Sequence, residues 1–193
     1  GRVIVLHLGH GASICAMKDG KSVATSMGFT ALDGLVMGKR CGDIDPGVVF
    51  FLMRDKGLSL HEAEALISNE SGLLGVSGIS SDLRDLEASG TPEADEAIDL
   101  FIYRAARQIG SMAAALGGVD AIVFTAGIGE NAARIRQGIL DQAAWLGVQS
   151  DTAANRAGGP CLSDPQSPVS AWVIPTDEER VIADQTCRRI AYL

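Results

Sequence analysis

Short apolar runs separated by glycine-bearing turns open the chain and predict three β-strands. The runs cover residues 3–8, 12–17 and 22–26, and the pair Asp19-Gly20 stands between the second and third runs. An Asp-Gly pair between two such runs is a strong signal for a β-hairpin. The beginning of the chain is therefore predicted to form three antiparallel strands linked by tight turns.

Helical periodicity follows these strands. Two helices are predicted over residues 47–56 and 60–69, and a shorter one over 82–88. The clearest helix is predicted over Pro92–Leu116, where apolar residues recur on one face and Thr91 is in place to cap the first turn. These helices are predicted to form one layer on a face of the sheet.

A first strand–loop–helix unit follows the long helix. Its buried strand is predicted over residues 121–124, a glycine-bearing turn over 127–131, and a helix from there to residue 146. Asn131 is predicted to cap that helix, because asparagine is among the residues preferred at helix N-termini. The turn lies where the strand ends, which is where open sheets usually bind ligands.

A second unit of the same kind ends the chain. Its strand is predicted over residues 169–174, and Thr176 with Glu179 forms a predicted capping box for a last helix. Three antiparallel strands followed by two such units predict an α/β fold with a mixed five-stranded sheet and helices on its faces, in a ribonuclease-H-like arrangement. A single domain is expected over residues 1–193.

Composition and charge narrow the classes of partner. The chain has 193 residues, 47% of them hydrophobic, a net charge of −8 and an isoelectric point of about 4.8. Such a protein can bury a normal core, and its field is expected to repel nucleic acid and anionic membranes. A phosphate ligand would therefore need local backbone N–H groups, a few cationic side chains and a metal ion.

The cysteines and the chain start bear on the compartment. The four cysteines stand singly, which predicts reduced thiols in a cytoplasm rather than a zinc site or a disulfide scaffold. No apolar run approaches the roughly 18 residues of a membrane span, and a signal peptide is not expected at the start. The sequence begins within a predicted strand and without Met, so a truncated or excised chain is expected.

Two glycine-bearing turns are candidate phosphate or nucleotide contacts. Gly9 and Gly11 flank His10 between the first two strands, and segment 127–131 follows the buried strand. Glycines let backbone N–H groups approach an anion, but an ordinary hairpin turn or strand–helix packing would explain either turn equally well. Neither turn matches the dinucleotide fingerprint or the Walker loop, so a Rossmann dehydrogenase and a P-loop ATPase fit poorly.

Two charged residues are candidates for phosphoryl-transfer chemistry. Arg40 stands in a glycine-rich loop, where it could stabilise a phosphoryl group in transfer or form a salt bridge to Asp43 or Asp45. Glu178, at the start of the last predicted helix, could hold magnesium or serve only as a partner of the helix dipole. Taken singly, these residues leave both interpretations open.

Six segments, in their order along the chain, resemble the acetate kinase family. They are His7 to Ser13, Thr25 to Thr30, Gly38 to Pro46, Ser71 to Gly75, Phe124 to Asn131 and Ile174 to Glu179. The resemblance covers nearly the whole chain and corresponds to the C-terminal half of that family's enzymes, which belong to the superfamily of sugar kinases, actin and heat-shock ATPases.

The resemblance implies a nucleotide site, a metal ligand and a catalytic arginine. Glu178 would be the Mg²⁺ carboxylate, and Arg40 would stabilise the phosphoryl group as it passes from ATP to a carboxylate. The residues implied to lie around ATP are His7, Leu8, Gly9, His10 and Gly11 near the phosphates, and Asp82, Leu83, Arg84, Gly127, Ile128, Gly129, Glu130 and Asn131 around the adenosine.

The reaction implied is the reversible conversion of ATP and acetate to ADP and acetyl phosphate, by a cytoplasmic homodimer paired through this half. The other catalytic groups would lie in an N-terminal half, and the isolated chain would bind nucleotide at best. Propionate or butyrate kinase activity is the close alternative, and a non-catalytic dimerisation or nucleotide-binding module is the more distant one. His10, Lys39 and Asp177 depart from the family pattern, which has asparagine, threonine and asparagine there.

Overall fold

A computed structural model describes residues 1–190 of the chain. The described part contains five strands, numbered in chain order: β1 Arg2–Leu8, β2 Ala12–Lys18, β3 Lys21–Thr25, β4 Ala121–Thr125 and β5 Ser170–Val173. Its α-helices are α1 Pro46–Arg54, α2 Leu60–Asn69, α3 Gly72–Ser77, α4 Leu83–Ser89, α5 Pro92–Leu116, α6 Ala126–Asn131, α7 Ala133–Gln142, α8 Thr152–Ala157 and α9 Glu178–Ile190, and a 3₁₀ turn covers Ala144–Leu146.

The five strands form one mixed sheet in the order β3-β2-β1-β4-β5. The pairs β1–β2 and β2–β3 are antiparallel, whereas β1–β4 and β4–β5 are parallel. The predicted mixed five-stranded sheet is therefore confirmed. Because β1, β4 and β5 run in the same direction, the segments that follow them all emerge at one edge of the sheet.

The long helix α5 covers one face of the sheet and forms much of the core. It contacts β1, β2 and β3 on the sheet side and α3, α4 and α7 at its flanks. The Thr91 hydroxyl accepts a hydrogen bond from the Ala94 N–H, and Gly117 ends the helix in the left-handed conformation. The predicted cap and both ends of this helix are confirmed. None of the helices in residues 1–190 has the length and apolar character needed to cross a membrane.

Three short helices were not predicted from the sequence. Residues 127–131, expected to form a turn, lie in α6, and α3 and α8 occupy segments that carried no prediction. Each has only six residues and contains no apolar stripe long enough to give a periodic signal. They depend on contacts with distant parts of the chain.

Two predicted caps were wrong. Asn131 ends α6, where its side-chain amide donates to the Gly127 carbonyl oxygen at 2.8 Å, and α7 has no side-chain cap. The last helix begins one residue later than the capping box required, because Asp177 Oδ1 accepts from the Arg180 N–H at 3.1 Å. The Thr176 hydroxyl contacts the Glu130 carboxylate instead of capping the helix.

Candidate active site

Two of the predicted loops lie side by side at the carboxyl edge of the sheet. In the parallel pair β1–β4, His7 is aligned with Thr125, so the turn after β1 faces the beginning of α6. The turn is tight, with the Gly9 N–H donating to the Gly11 carbonyl oxygen at 2.9 Å. A Cβ added at Gly9 would lie 3.7 Å from the Ala126 Cβ. The parallel strands thus bring together two turns that are more than a hundred residues apart.

A cavity of about 420 Å³ opens between these loops and α4. The sequence-predicted residues in its wall are Gly9, His10, Asp82, Leu83, Arg84, Gly127, Ile128 and Asn131. The wall also contains residues that sequence reasoning did not single out as ligand contacts, namely Gly38, Leu73, Ser81, Glu87 and Ala132. A cavity of this volume falls in the usual range of small-molecule sites.

Asp82 and Arg84 form an ion pair in the wall of this larger cavity. The Asp82 carboxylate accepts from the Arg84 backbone N–H at 2.9 Å, which caps α4, and from Arg84 Nη2 at 2.6 Å. These hydrogen bonds lower the pKa of Asp82 to about 2. The carboxylate is therefore ionised at neutral pH, and the adjacent guanidinium offsets its repulsion of phosphates.

A second cavity, of about 250 Å³, adjoins the first and shares Gly9 and His10 with it. Three further sequence-predicted residues line this smaller cavity: His7, Gly11 and Arg40. The turn after β1 therefore separates two spaces, with the predicted adenosine contacts on one side and the predicted catalytic arginine on the other. Ala12, Ser13, Met27, Ala31, Asp33 and Met37 complete the wall.

The Arg40 guanidinium lies against the backbone of the glycine turn. Its Nη1 donates to the Ala31 carbonyl oxygen, and a Cβ added at Gly11 would be 3.1 Å from Nη2. The salt bridges considered for Arg40 do not form in the structure. Asp43 accepts from Gln108 and pairs with Arg104 at 3.2 Å, and Asp45 caps α1.

The loop that carries Arg40 is held by the beginning of α3. Backbone N–H groups there donate to three loop carbonyl oxygens: Ser71 to Lys39 at 2.9 Å, Leu73 to Met37 at 2.9 Å and Leu74 to Gly38 at 3.0 Å. Gly72 has φ +62°, and any Cβ at this position would overlap the Met37 carbonyl oxygen. Only glycine permits this close approach, so α3 fixes the backbone from which Arg40 extends.

Glu178, the first residue of α9, lies next to His7, which lines the smaller cavity. Its Oε1 lies 3.7 Å from His7 Nε2, and its side chain is 72% exposed. Residues 1–190 contain no group of three His, Cys, Asp or Glu side chains able to hold a metal. Magnesium commonly uses one or two carboxylates together with substrate phosphates and water, so a single exposed carboxylate beside the glycine turn fits that ion.

Three of the residues expected around ATP are absent from the walls of both cavities, as is Glu178. Leu8 is fully buried in the core, and Gly129 packs against Phe124, where an added Cβ would lie 3.4 Å from the backbone. Glu130 turns its carboxylate towards Thr176. The structure therefore provides no side-chain contact from these three residues to either cavity, in contrast to the expectation that they surround ATP.

Sequence reasoning missed a buried arginine behind the site. Arg136 is 1% exposed, donates to the carbonyl oxygens of Gly129 and Glu130, and makes two further hydrogen bonds to Asn155. Burial lowers the pKa of this guanidinium. The signal that could have revealed it is its position beside Ile135 on the apolar face of α7, where a charge is unusual.

The mixed five-stranded sheet and the helices on its faces place the domain in the class of the actin-like ATPase fold. Within that class, the sequence model of the Acetokinase family matches residues 1–184, and the chain belongs to this family. The family match confirms the resemblance to the acetate kinase family, and the structure confirms the predicted ribonuclease-H-like fold.

Known proteins similar to the chain include two acetate kinases and a propionate kinase. The acetate kinase of Rhodopseudomonas palustris (strain TIE-1) is 60% identical over 190 residues, covering 97% of the chain and 48% of the relative. The crystal structure of Porphyromonas gingivalis acetate kinase aligns with a TM-score of 0.92 at 43% identity, over 97% of the chain and 48% of that protein. A propionate kinase from Francisella tularensis subsp. tularensis SCHU S4 aligns with a TM-score of 0.89, also at 43% identity, over 94% and 47% of the two chains. The chain thus spans about half the length of the curated relatives it matches.

Proposed function

We propose that this chain is the nucleotide-binding half of an ATP-dependent phosphotransferase that converts ATP and acetate reversibly to ADP and acetyl phosphate. The observation that carries the proposal is the pair of cavities joined at Gly9 and His10, with Arg40 in the smaller one, in a member of the Acetokinase family. The larger cavity would take the adenosine, and the phosphates would cross the glycine turn.

The domain assignment is part of this proposal. Residues 1–193 would be the C-terminal domain, and an N-terminal domain of similar size would close the smaller cavity and bind the carboxylate. The length of the relatives supports this arrangement, because each is about twice as long as the part that the chain covers. The remaining catalytic groups would come from that second half.

In the proposed mechanism, a carboxylate oxygen of acetate forms a bond to the γ-phosphorus while the bond to the ADP oxygen breaks. Arg40 would donate hydrogen bonds to the equatorial oxygens of the phosphoryl group in transfer, where a planar guanidinium stabilises developing charge. Backbone N–H groups of the turn from Gly9 to Gly11 would bind the phosphates. Local donors of this kind are needed because the net charge of −8 opposes anions at long range.

Glu178 is the proposed magnesium carboxylate. When bound, Mg²⁺ would neutralise charge on the nucleotide phosphates. Glu178 fits this role because its carboxylate is exposed and lies 3.7 Å from His7, two residues before the phosphate turn. The carboxylate of Asp177, and not that of Glu178, caps α9. His7, whose Nε2 lies 3.7 Å from the Glu178 Oε1, would donate a hydrogen bond to a phosphate oxygen.

Cytoplasmic location and a homodimer also belong to the proposal. Four free cysteines, none in a disulfide, support a reducing compartment. Exposed apolar side chains on α1, among them Phe50 and Phe51, support a contact between this half and another protein surface. A second copy of the same polypeptide is the proposed occupant.

The choice of acyl substrate gives the first prediction. The full-length protein is expected to show its highest kcat/KM with acetate, about tenfold less with propionate and about a hundredfold less with butyrate, since a tight pocket discriminates by roughly tenfold for each added methylene. Phosphorylation of acetate, propionate and butyrate by Mg-ATP would be measured. Propionate is the essential comparison, because the propionate kinase above is as identical to the chain as the P. gingivalis acetate kinase.

Two results would change the proposal. A strong preference for propionate or butyrate would replace acetate as the substrate but retain the reaction type. Binding of Mg-ATP without phosphorylation of any of the three acids would favour a nucleotide-binding or dimerisation module over an enzyme.

A further inference from the structure

We propose that Glu130 is a positioning residue that ties the segment carrying Glu178 to α6, and that Arg136 holds the backbone from which Glu130 extends. This inference rests on the proposed role of Glu178 as a magnesium carboxylate. It gives Glu130 a function different from the nucleotide contact expected from the sequence.

The Glu130 carboxylate binds the chain just before α9. Its Oε1 accepts from the Thr176 N–H at 3.0 Å and from the Thr176 hydroxyl at 3.3 Å, although the two residues are 46 positions apart. Hydrogen bonds to an ionised carboxylate are stronger than those between neutral groups. Thr176 is therefore fastened to the end of α6 by two donors on one acceptor.

Little else in the described part of the chain fixes the beginning of α9. The helix buries none of its residues. Upstream, the Ile174 N–H donates to the Phe124 carbonyl oxygen at 3.0 Å and marks the end of the sheet pairing. Between Ile174 and Glu178, the segment is held to α6 by the hydrogen bonds from Thr176 to Glu130. Because α9 buries no residues, its position depends mainly on the hydrogen bonds between Thr176 and Glu130.

The short distance along the chain makes the tie relevant to Glu178. Two residues span at most about 7 Å of extended chain, so fixing Thr176 confines Glu178 to a small volume. In that volume its Oε1 lies 3.7 Å from His7 Nε2, beside the phosphate turn. Releasing Thr176 would enlarge the range of positions open to the Glu178 carboxylate and raise the entropic cost of placing it on a metal.

Arg136 fixes the other end of the tie. Its Nη1 donates to the carbonyl oxygens of Gly129 at 3.0 Å and Glu130 at 2.8 Å. Its Nε and Nη2 donate to the side chain and backbone of Asn155 at 2.8 and 2.7 Å. A buried guanidinium held by four hydrogen bonds leaves the Glu130 backbone few alternative positions. Hydrogen bonds thus link the buried Arg136 to Glu130 and Glu130 to Thr176, two residues before the proposed metal carboxylate.

The test compares Glu130→Ala with wild type in the full-length protein. Calorimetry would measure the Mg²⁺ concentration that gives half-maximal binding to the ATP-bound protein. We expect this concentration to rise about tenfold, because losing a group that orients a metal ligand typically lowers metal affinity by about 10- to 100-fold. ATP affinity without metal should change less than about twofold, because Glu130 lines neither cavity. In the ligand-free protein, hydrogen exchange at the Thr176 amide should accelerate about tenfold or more as its acceptor is lost.

Two control variants sharpen this comparison. Glu130→Gln keeps a side-chain oxygen that can accept from Thr176, and it should recover most of the Mg²⁺ affinity. Glu96→Ala removes an exposed glutamate of α5 and should match wild type in every measurement.

The outcomes separate this inference from the proposed function. Unchanged Mg²⁺ affinity and unchanged Thr176 exchange in Glu130→Ala would overturn the tie. A loss of metal-free ATP binding would overturn it as well, because Glu130 would then be a nucleotide contact. If wild type binds no nucleotide, the proposed function and the metal-positioning role both fail, whereas exchange at Thr176 in the ligand-free protein still tests the structural tie.

Discussion

Replacing Arg40 with alanine is expected to lower the turnover of the full-length protein about a thousandfold, while Mg-ATP affinity changes less than about threefold. An arginine that stabilises a phosphoryl group in transfer contributes at least this much to the rate. Arg40 lines the smaller cavity and is absent from the wall of the larger one, so nucleotide binding should survive its loss. Steady-state kinetics and calorimetry would measure the two quantities separately.

Two further variants control this experiment. Arg156→Ala removes an exposed arginine of α8, away from both cavities, and it should leave both quantities unchanged. Arg40→Lys keeps the charge but loses the planar fork and should restore only part of the rate. Turnover of Arg40→Ala close to that of wild type would remove Arg40 from the mechanism.

Replacing Arg136 with methionine is expected to lower the free energy of unfolding by about 3–5 kcal/mol. Methionine fills similar space, but it leaves the carbonyl oxygens of Gly129 and Glu130 and both oxygens of Asn155 without their buried donor. Removing one partner from a buried charged network typically costs this much. Urea unfolding of the full-length protein, followed by circular dichroism, would measure the change.

The matched control for Arg136 lies on the same helix. Arg134 is half exposed and pairs with Asp95 at 2.8 Å on the surface, so Arg134→Met should cost less than about 1 kcal/mol. Equal costs for the two substitutions would show that the buried network adds nothing beyond an ordinary surface ion pair.

The sheet and the long helix could be predicted because their signals are local. The Asp19-Gly20 turn determines where β2 and β3 fold back, and Thr91 caps α5 within its own first turn. Such features depend on neighbours in the sequence, and the structure confirms them.

The segment after β4 could not be predicted, because distant contacts determine its conformation. Ala126 adopts φ +65°, which is unfavourable for a residue with a Cβ, and α6 contains two glycines that disfavour helix. Hydrogen bonds from Arg136 to the last turn offset these costs. The false capping box at Thr176 has a similar origin, since Glu130 is 46 residues away in the sequence and engages the hydroxyl that would have capped α9.

The site itself was only partly predictable. Each glycine turn alone was compatible with an ordinary turn, and the parallel register of β1 with β4 is what brings them together. The role of α3 in holding the Arg40 loop was also hidden, because it depends on backbone hydrogen bonds that leave no side-chain pattern. Resemblance in ordered motifs led to eleven residues that line the cavities, but not to the contacts that support them.

Backbone hydrogen exchange of the full-length protein, with and without Mg-ADP, tests whether the turn after β1, the start of α4 and α6 form one nucleotide site. If they do, Mg-ADP slows exchange in all three segments together, at residues 9–11, 82–84 and 127–131. Slowed exchange confined to other segments, or none at saturating Mg-ADP, would contradict this arrangement.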